Sequence, residues 1–88
     1  MSYYLYILKC ADGTLYTGIT TSLLRRVMEH NGKGQKPGAK YTSTRRPVKV
    51  VYSKKFKNRS TASHEEARIK KLNRLAKLKL IKKSRKLI

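Results

Sequence analysis

Two tyrosines, an arginine, a histidine and a glutamate are the side chains of this 88-residue chain whose types could together act on a phosphate ester. A phosphodiester transition state carries extra negative charge on its nonbridging oxygens, which a guanidinium fork is suited to stabilise. An imidazole can hydrogen-bond a water, a phosphate or a tyrosine hydroxyl, and a carboxylate can bind a hard divalent cation. The candidate catalytic residues are Tyr6, Tyr16, Arg26, His30 and Glu66.

Arg26 and His30 are four residues apart in a segment with helical periodicity, so they project from the same helical face. Leu23 lies three residues before Arg26, which places both side chains beside the buried stripe, at the rim of the core. On spacing alone a simpler interpretation is favoured, with Arg26 as a surface arginine and His30 as a solvated helix-end residue stabilised by the helix dipole.

Glu65 and Glu66 are two of only four acidic residues, and cations surround them. A carboxylate in such a field is either an ion-pair partner or a ligand for a divalent metal. A helical wheel puts Glu65 nearer the centre of the apolar stripe and Glu66 nearer its edge, and it does not choose between them. From position alone, both are typical of first-turn acids that complement a helix N-terminus.

Tyr6 and Tyr16 can act together only if their hydroxyls lie on the same face of a sheet. The Asp12-Gly13 pair predicts the turn of a hairpin between aromatic and branched segments at residues 3–9 and 15–20. A two-residue turn would put the tyrosines on opposite faces, whereas a three-residue Asp12-Gly13-Thr14 loop with a glycine bulge would put them on the same face. A joint catalytic role therefore requires the bulged loop.

The remaining elements follow from periodicity and punctuation. Thr21 or Ser22 can cap a helix that ends at Gly32, and residues 32–47 are typical of an exposed basic loop. Residues 47–56 alternate as a third strand, and the chain is helical from Ser60 onward with a break near Asn73. These elements predict an α+β fold, a small three-stranded antiparallel sheet packed by helices in the order β-β-α-β-α-α, with residues 1–88 as a single domain.

The charge predicts a polyanionic partner. The chain has 23 Lys and Arg against 4 Asp and Glu, a formal net charge of +19, and nucleic acid is the simplest partner. The loop lacks the Gly-Lys-Ser/Thr ending of a nucleotide-binding P-loop, so no nucleotide cofactor is expected. The loop is either solvated and flexible or a nucleic-acid contact surface. In the second case phosphates would be bound by its basic side chains and a base would stack on Tyr41; the basic residues are Lys33, Lys36, Lys40, Arg45 and Arg46. A single cysteine and the lack of a long apolar run favour a reducing cytoplasm and no membrane partner.

Taken in order, these residues resemble the GIY-YIG nuclease superfamily. Tyr4-Leu5-Tyr6 stands where that family has Gly-Ile-Tyr, and Tyr16-Thr17-Gly18 stands where it has Tyr-Ile-Gly. Arg26 and His30 occupy the helix positions of the family's arginine and its following His or Tyr. Glu66, four residues after Ala62, matches the context of the metal-binding glutamate, and this pattern selects Glu66 over Glu65. The chain is most similar to small stand-alone bacterial members, relatives of the N-terminal nuclease domain of UvrC. It departs from the family at Tyr4, where Gly is usual, and in having no counterpart of a late Asn.

The resemblance implies a metal-dependent endonuclease, with Mg²⁺ or Mn²⁺ held by Glu66, Arg26 stabilising the phosphate, and Tyr6 and Tyr16 jointly on water and phosphate. It favours DNA over RNA and a role in DNA repair or processing. A tyrosine base needs a pKa below its usual value of about 10, which nearby cations would favour. Two alternatives remain open: a non-catalytic basic DNA- or RNA-binding module, and a basic amphipathic surface at residues 75–88 for an acidic membrane or protein. The sequence leaves the oligomeric state open.

Overall fold

The computed structural model describes residues 2–33 and 40–85, which form a three-stranded antiparallel sheet and four helices. The sheet has the order β2-β1-β3, so β1 is central. This architecture confirms the predicted α+β class. The elements are β1 Tyr3–Lys9, β2 Leu15–Thr20, α1 Leu23–His30, α2 Lys40–Ser43, β3 Lys49–Phe56, α3 Arg59–Lys70 and α4 Arg74–Arg85.

The central strand β1 is buried on both faces, which explains its nearly continuous apolar composition. Leu5 and Ile7 point to one face, where they pack against Ile69 of α3 and Ile81 of α4. Tyr6 and Leu8 point to the other face, and their cluster includes half-buried side chains of α1. The candidate tyrosine of β1 therefore lies on the α1 face of the sheet.

The β1–β2 hairpin places Tyr6 and Tyr16 on the same face, as the predicted joint role requires. Tyr6 pairs with Gly18 and Leu8 pairs with Tyr16, so Tyr16 is a diagonal neighbour of Tyr6. The predicted loop position is wrong by one residue, because the turn is formed by residues 11–13. Gly13 donates its backbone N–H to the carbonyl of Cys10 at 2.9 Å and has a φ of +84°. The last position of this loop requires a positive φ, which glycine adopts without strain and Thr14 would not.

The helices begin and end close to the predicted residues. The Ser22 Oγ accepts the backbone N–H of Arg25 at 3.3 Å, which caps α1, and Gly32 with a φ of +78° follows its end. The predicted break near Asn73 is confirmed, because the Asn73 Oδ1 accepts the N–H of Ala76 at 2.8 Å and so caps α4.

The prediction of an exposed basic loop over residues 32–47 is wrong at the centre of that range. Residues 40–43 form the short helix α2, and Thr42 in that helix is completely buried. The third strand also starts two residues later than predicted, at Lys49 rather than Pro47. Residues 34–39 lie outside the part of the chain that the structure describes.

The C-terminal helix α4 divides its apolar side chains between the core and the surface. Leu80 and Ile81 pack on the sheet, whereas Leu75 and Leu78 are exposed. No helix in residues 2–33 or 40–85 is long and apolar enough to span a bilayer. The amphipathic surface suggested for this segment stays a prediction.

Candidate active site

Tyr6, Tyr16 and His30 form a cluster of rings on the α1 face of the sheet. The ring centroids of Tyr6 and Tyr16 are 6.5 Å apart, and His30 lies 5.9 Å from Tyr6 and 5.2 Å from Tyr16. The three side chains come from β1, β2 and the last residue of α1. The structure thus brings together three of the five candidate catalytic residues in direct ring contact.

Gly18 provides the space that the Tyr6 hydroxyl occupies. Tyr6 and Gly18 face each other across the β1–β2 ladder. A Cβ atom added at Gly18 would lie 2.5 Å from the Tyr6 Oη and 2.8 Å from its Cζ. Glycine at this position of the Tyr16-Thr17-Gly18 segment therefore allows the ring of Tyr6 to lie across β2.

His30 is completely buried and is held by hydrogen bonds at three atoms. Its Nε2 lies 3.0 Å from the Tyr6 Oη, and its Nδ1 lies 2.7 Å from the Thr42 Oγ1. Its backbone carbonyl accepts the Nε–H of Arg46 at 2.7 Å. The interpretation of His30 as a solvated helix-end residue is therefore wrong, and so is its expected place at the rim of the core. Thr42 of α2 is one of the residues that pack against it.

Burial determines the protonation of both hydrogen-bonded rings. It lowers the pKa of His30 to about 4, and the nearby positive charges of Arg26 and Arg46 act in the same direction, so the imidazole is neutral at pH 7. Burial raises the pKa of Tyr6 to about 12, against the opposing effect of Arg26. The direction for Tyr6 is opposite to the lowering that a tyrosine base needs.

Arg26 connects this cluster to the surface. Its guanidinium faces the Tyr6 hydroxyl, and its Nη1 donates a hydrogen bond to the Glu29 Oε1 at 2.8 Å. The Arg26 side chain retains 27% of its exposure, whereas that of Glu29 retains 6%. A buried carboxylate therefore holds a partly exposed guanidinium in place.

The two neighbouring glutamates of α3 have different surroundings. They are the seventh and eighth residues of Arg59–Lys70, so their interpretation as first-turn acids is wrong. Glu65 accepts two hydrogen bonds from Arg68, at 2.6 and 2.7 Å, and these lower the pKa of Glu65. Glu66 pairs with Lys70 at 3.3 Å and lies close enough to Tyr6 for its charge to raise the pKa of that hydroxyl. Glu66, not Glu65, lies on the side of the tyrosine cluster.

The donor set fits a weakly held divalent cation. No group of three or more His, Cys, Asp or Glu side chains that could bind a metal occurs among the described residues. Mg²⁺ is commonly held by one or two carboxylates, with waters and substrate phosphate completing its shell. Glu66 offers a partly exposed carboxylate with one Lys70 contact, whereas both oxygens of Glu65 are occupied by Arg68. The carboxylate of Glu66 is therefore the more available of the two.

Tyr41 and Arg45 make contacts within the protein that the sequence did not indicate. The Tyr41 ring stacks on Tyr16 with a centroid distance of 5.7 Å, and the Arg45 guanidinium lies 4.1 Å from the centre of the Tyr41 ring. The Arg45 Nε also lies 3.1 Å from a carboxylate oxygen of Asp12. A base that stacked on Tyr41 would have to share the ring with these two neighbours.

The other basic candidates have separate positions. Arg46 uses its Nε on the His30 carbonyl, and Lys33 is exposed at the wall of a groove. Lys36 and the side chain of Lys40 lie outside the described part of the structure. The groove has a volume of about 860 Å³ and runs along α1, with Arg26 in its wall. Of the five candidate catalytic residues, Arg26 is the one that lines this groove.

Residues 2–79 match the sequence model of the GIY-YIG catalytic domain. The chain is 49% identical over 85 residues to a UPF0213 protein of Desulfotalea psychrophila, covering 97% of this chain and 76% of the relative. It is 54% identical over 80 residues to a UPF0213 protein of Oceanobacillus iheyensis, covering 90% of this chain and 88% of the relative. The chain belongs to the UPF0213 family.

Solved structures agree with this membership. The solution NMR structure of a UPF0213 protein from Bacillus halodurans is similar, with 41% identity, a TM-score of 0.59, and coverage of 93% of this chain and 84% of that one. The NMR structure of an E. faecalis protein has 40% identity and a TM-score of 0.64, covering 97% of this chain and 88% of that one. The GIY-YIG catalytic domain of this UPF0213 protein therefore has relatives of experimentally determined structure.

Sequence reasoning missed two side chains of the candidate site, Glu29 and Thr42. Glu29 is buried beside Arg26. The three-residue spacing between them on a predicted helix, in a chain with only four acidic residues, could have indicated this ion pair. Thr42 is buried beside His30, twelve residues away along the chain. The sequence around Thr42 has no periodic apolar pattern that would have indicated its burial.

Proposed function

We propose that this UPF0213 protein is a metal-dependent endonuclease that hydrolyses phosphodiester bonds of nucleic acid, with DNA preferred to RNA. One observation carries the proposal: the rings of Tyr6, Tyr16 and His30 lie 5.2 to 6.5 Å apart, and Arg26 of α1 faces the Tyr6 hydroxyl. Two tyrosine hydroxyls and a cation are thus close together. Glu66 of α3 adds a partly exposed carboxylate as the proposed metal ligand, and these are the groups that phosphodiester hydrolysis requires.

Arg26 binds the phosphate in this proposal. Its guanidinium is partly exposed at the groove, and the buried Glu29 restrains it. A restrained fork loses little conformational entropy when it binds two phosphate oxygens. The same contact strengthens as charge develops on those oxygens in the transition state.

Glu66 would hold the divalent cation, because a single carboxylate commonly anchors Mg²⁺ with waters and substrate. A bound cation of this kind would supply Lewis-acid polarisation of a phosphate oxygen. The Oε2 of Glu66 contacts Lys70 at 3.3 Å, and the cation would exchange with this contact. Partly exposed pairs of this kind contribute only about 0–1 kcal/mol, so this exchange costs little.

Tyr16 rather than Tyr6 contacts the attacking water. Tyr6 is 2% exposed and its pKa is raised to about 12, so it stays a neutral hydroxyl that orients its neighbours. Tyr16 is half-buried and lies against both Tyr6 and His30. Its greater exposure makes it the tyrosine of the pair that water reaches more readily.

The main test is cleavage of labelled single-stranded, duplex and branched DNA and RNA with magnesium or manganese. Glu66→Gln is expected to abolish cleavage while leaving binding nearly unchanged. Glu65→Gln is a matched control, because it removes the same charge one residue away and loses only the Arg68 contact. Full cleavage by Glu66→Gln, or equal loss in both variants, would contradict the assignment of the metal ligand.

A second candidate is a basic binding module without catalysis, which the net charge of +19 supports independently of the cluster. It predicts binding that needs no metal. The logarithm of the association constant is expected to fall linearly with the logarithm of the salt concentration, with a slope of about −5 for six phosphate contacts. Nuclease and module both show this slope. Binding without cleavage of any substrate, in either metal, would favour the module and reject the nuclease.

A further inference from the structure

Thr42 is a buried member of a line of polar contacts that starts at the groove. Arg26 faces the Tyr6 hydroxyl, which lies 3.0 Å from the His30 Nε2, and the His30 Nδ1 lies 2.7 Å from the Thr42 Oγ1. Both His30 and Thr42 are completely buried. A polar contact so placed is energetically important, because a buried donor or acceptor that loses its partner is costly.

Chemistry gives this line of contacts one direction. The Arg26 guanidinium is a cation that faces the Tyr6 hydroxyl, so it favours the orientation in which the Tyr6 lone pairs point to it and the Tyr6 proton points elsewhere. Tyr6 and His30 are both neutral at pH 7, and a neutral imidazole has one donor nitrogen and one acceptor nitrogen. This orientation lets Tyr6 donate a hydrogen bond to the Nε2 of His30, 3.0 Å away. The ring hydrogen of neutral His30 is then on Nδ1, and this N–H donates a hydrogen bond to the Thr42 Oγ1.

We propose that Thr42 is a positioning residue of the site: its hydroxyl oxygen accepts a hydrogen bond from the Nδ1–H of His30 and so keeps Nε2 as the acceptor for Tyr6. The role of Thr42 in catalysis rests on the proposed nuclease, whereas the tautomer of His30 does not. With its proton committed to His30, Tyr6 presents its oxygen lone pairs to Arg26. The short helix α2 thereby sets the orientation of a hydroxyl in β1.

The tautomer is measured directly by long-range ¹H–¹⁵N NMR of the histidine rings at pH 7. The chain has two histidines, and the exposed His64 is an internal control. The wild type is expected to have the His30 proton on Nδ1. Thr42→Ser keeps the hydroxyl and the tautomer, and Thr42→Val, which has the same shape without the hydroxyl, shifts the population towards Nε2–H. A wild-type proton on Nε2, or a Thr42→Val spectrum with unchanged ring nitrogens, would overturn the inference.

Cleavage kinetics provide the second readout. We expect Thr42→Val to lower kcat about tenfold with KM unchanged, the effect of one hydrogen bond of ordinary strength, and Thr42→Ser to restore it. Equal kcat in wild type and Thr42→Val would overturn the positioning role. If the wild type cleaves nothing, the nuclease proposal fails and with it the catalytic role. The tautomer measurement on the wild type needs no variant, so it decides the hydrogen-bond assignment even if Thr42→Val does not fold.

Discussion

Replacing Gly18 by alanine is expected to displace the Tyr6 hydroxyl and disrupt the candidate site. The φ of Gly18 is not in the left-handed region, which among the described glycines is occupied by Gly13 and Gly32, so alanine fits the backbone there. The obstacle is the ring that crosses β2 at this point. The new Cβ would lie 2.5 Å from the Tyr6 Oη, about 0.9 Å inside the 3.4 Å at which ordinary contact begins.

Two opposing effects set the change in stability. Alanine in a strand interior gains about 0.5–1 kcal/mol over glycine in conformational entropy. Overpacking a well-filled region costs about 1–3 kcal/mol. Overpacking wins, because Tyr6 is fully packed on the α1 face and a rigid ring cannot move its hydroxyl alone. A net loss of about 1 kcal/mol lowers Tm by roughly 4–8 °C in a chain of this size.

The effect on cleavage is expected to be larger than the effect on stability. A reacting or orienting group that is misplaced by about 1 Å can cost about 100-fold in rate. Calorimetry and cleavage kinetics on Gly18→Ala measure both quantities. Ser53→Ala is the control, because Ser53 pairs with Tyr6 across the other ladder and is exposed. Unchanged Tm and unchanged cleavage in Gly18→Ala would refute the steric argument.

Two further predictions concern stability. The pKa of His30 in the folded protein, about 4, lies below its ordinary value of 6.5. The contribution of the neutral imidazole to the free energy of unfolding is therefore complete above pH 6.5 and is lost as the pH falls to 4. We expect urea titrations to show a loss of up to about 3 kcal/mol over that range that His30→Gln lacks and His64→Gln retains; equal pH dependence of the two variants would argue against a buried neutral imidazole. Asn31→Ala removes two reciprocal hydrogen bonds with the backbone of Val48, at 2.8 and 3.1 Å, and is expected to lower the unfolding free energy by about 1–3 kcal/mol. An unchanged urea midpoint would show that water replaces both bonds.

Local sequence signals predicted the helices, strands and turns, but not which side chains are buried around the candidate site. The turn at Gly13 and the caps at Ser22 and Asn73 depend on neighbouring residues, so their positions were correct within a residue or two. Thr42 is buried because α2 lies against the end of α1, a contact that no local pattern encodes. The direction of the Tyr6 pKa was also out of reach, because counting cations gives the sign of the field and not the depth of burial.

The choice between adjacent glutamates shows how an ion pair can decide which carboxylate is available. Glu65 and Glu66 have the same chemistry and similar exposure, and each pairs with a cation on its own helix. The guanidinium of Arg68 engages both oxygens of Glu65 in a bidentate fork, the stronger type of pair. Lys70 is a compact charge on a flexible stem at 3.3 Å from Glu66. A divalent cation would compete with a lysine at Glu66 and with a bidentate arginine at Glu65. Substitution of Arg68 is therefore expected to free the Glu65 carboxylate without creating a second candidate site, since Glu65 lies towards Tyr52 and Lys54 of β3.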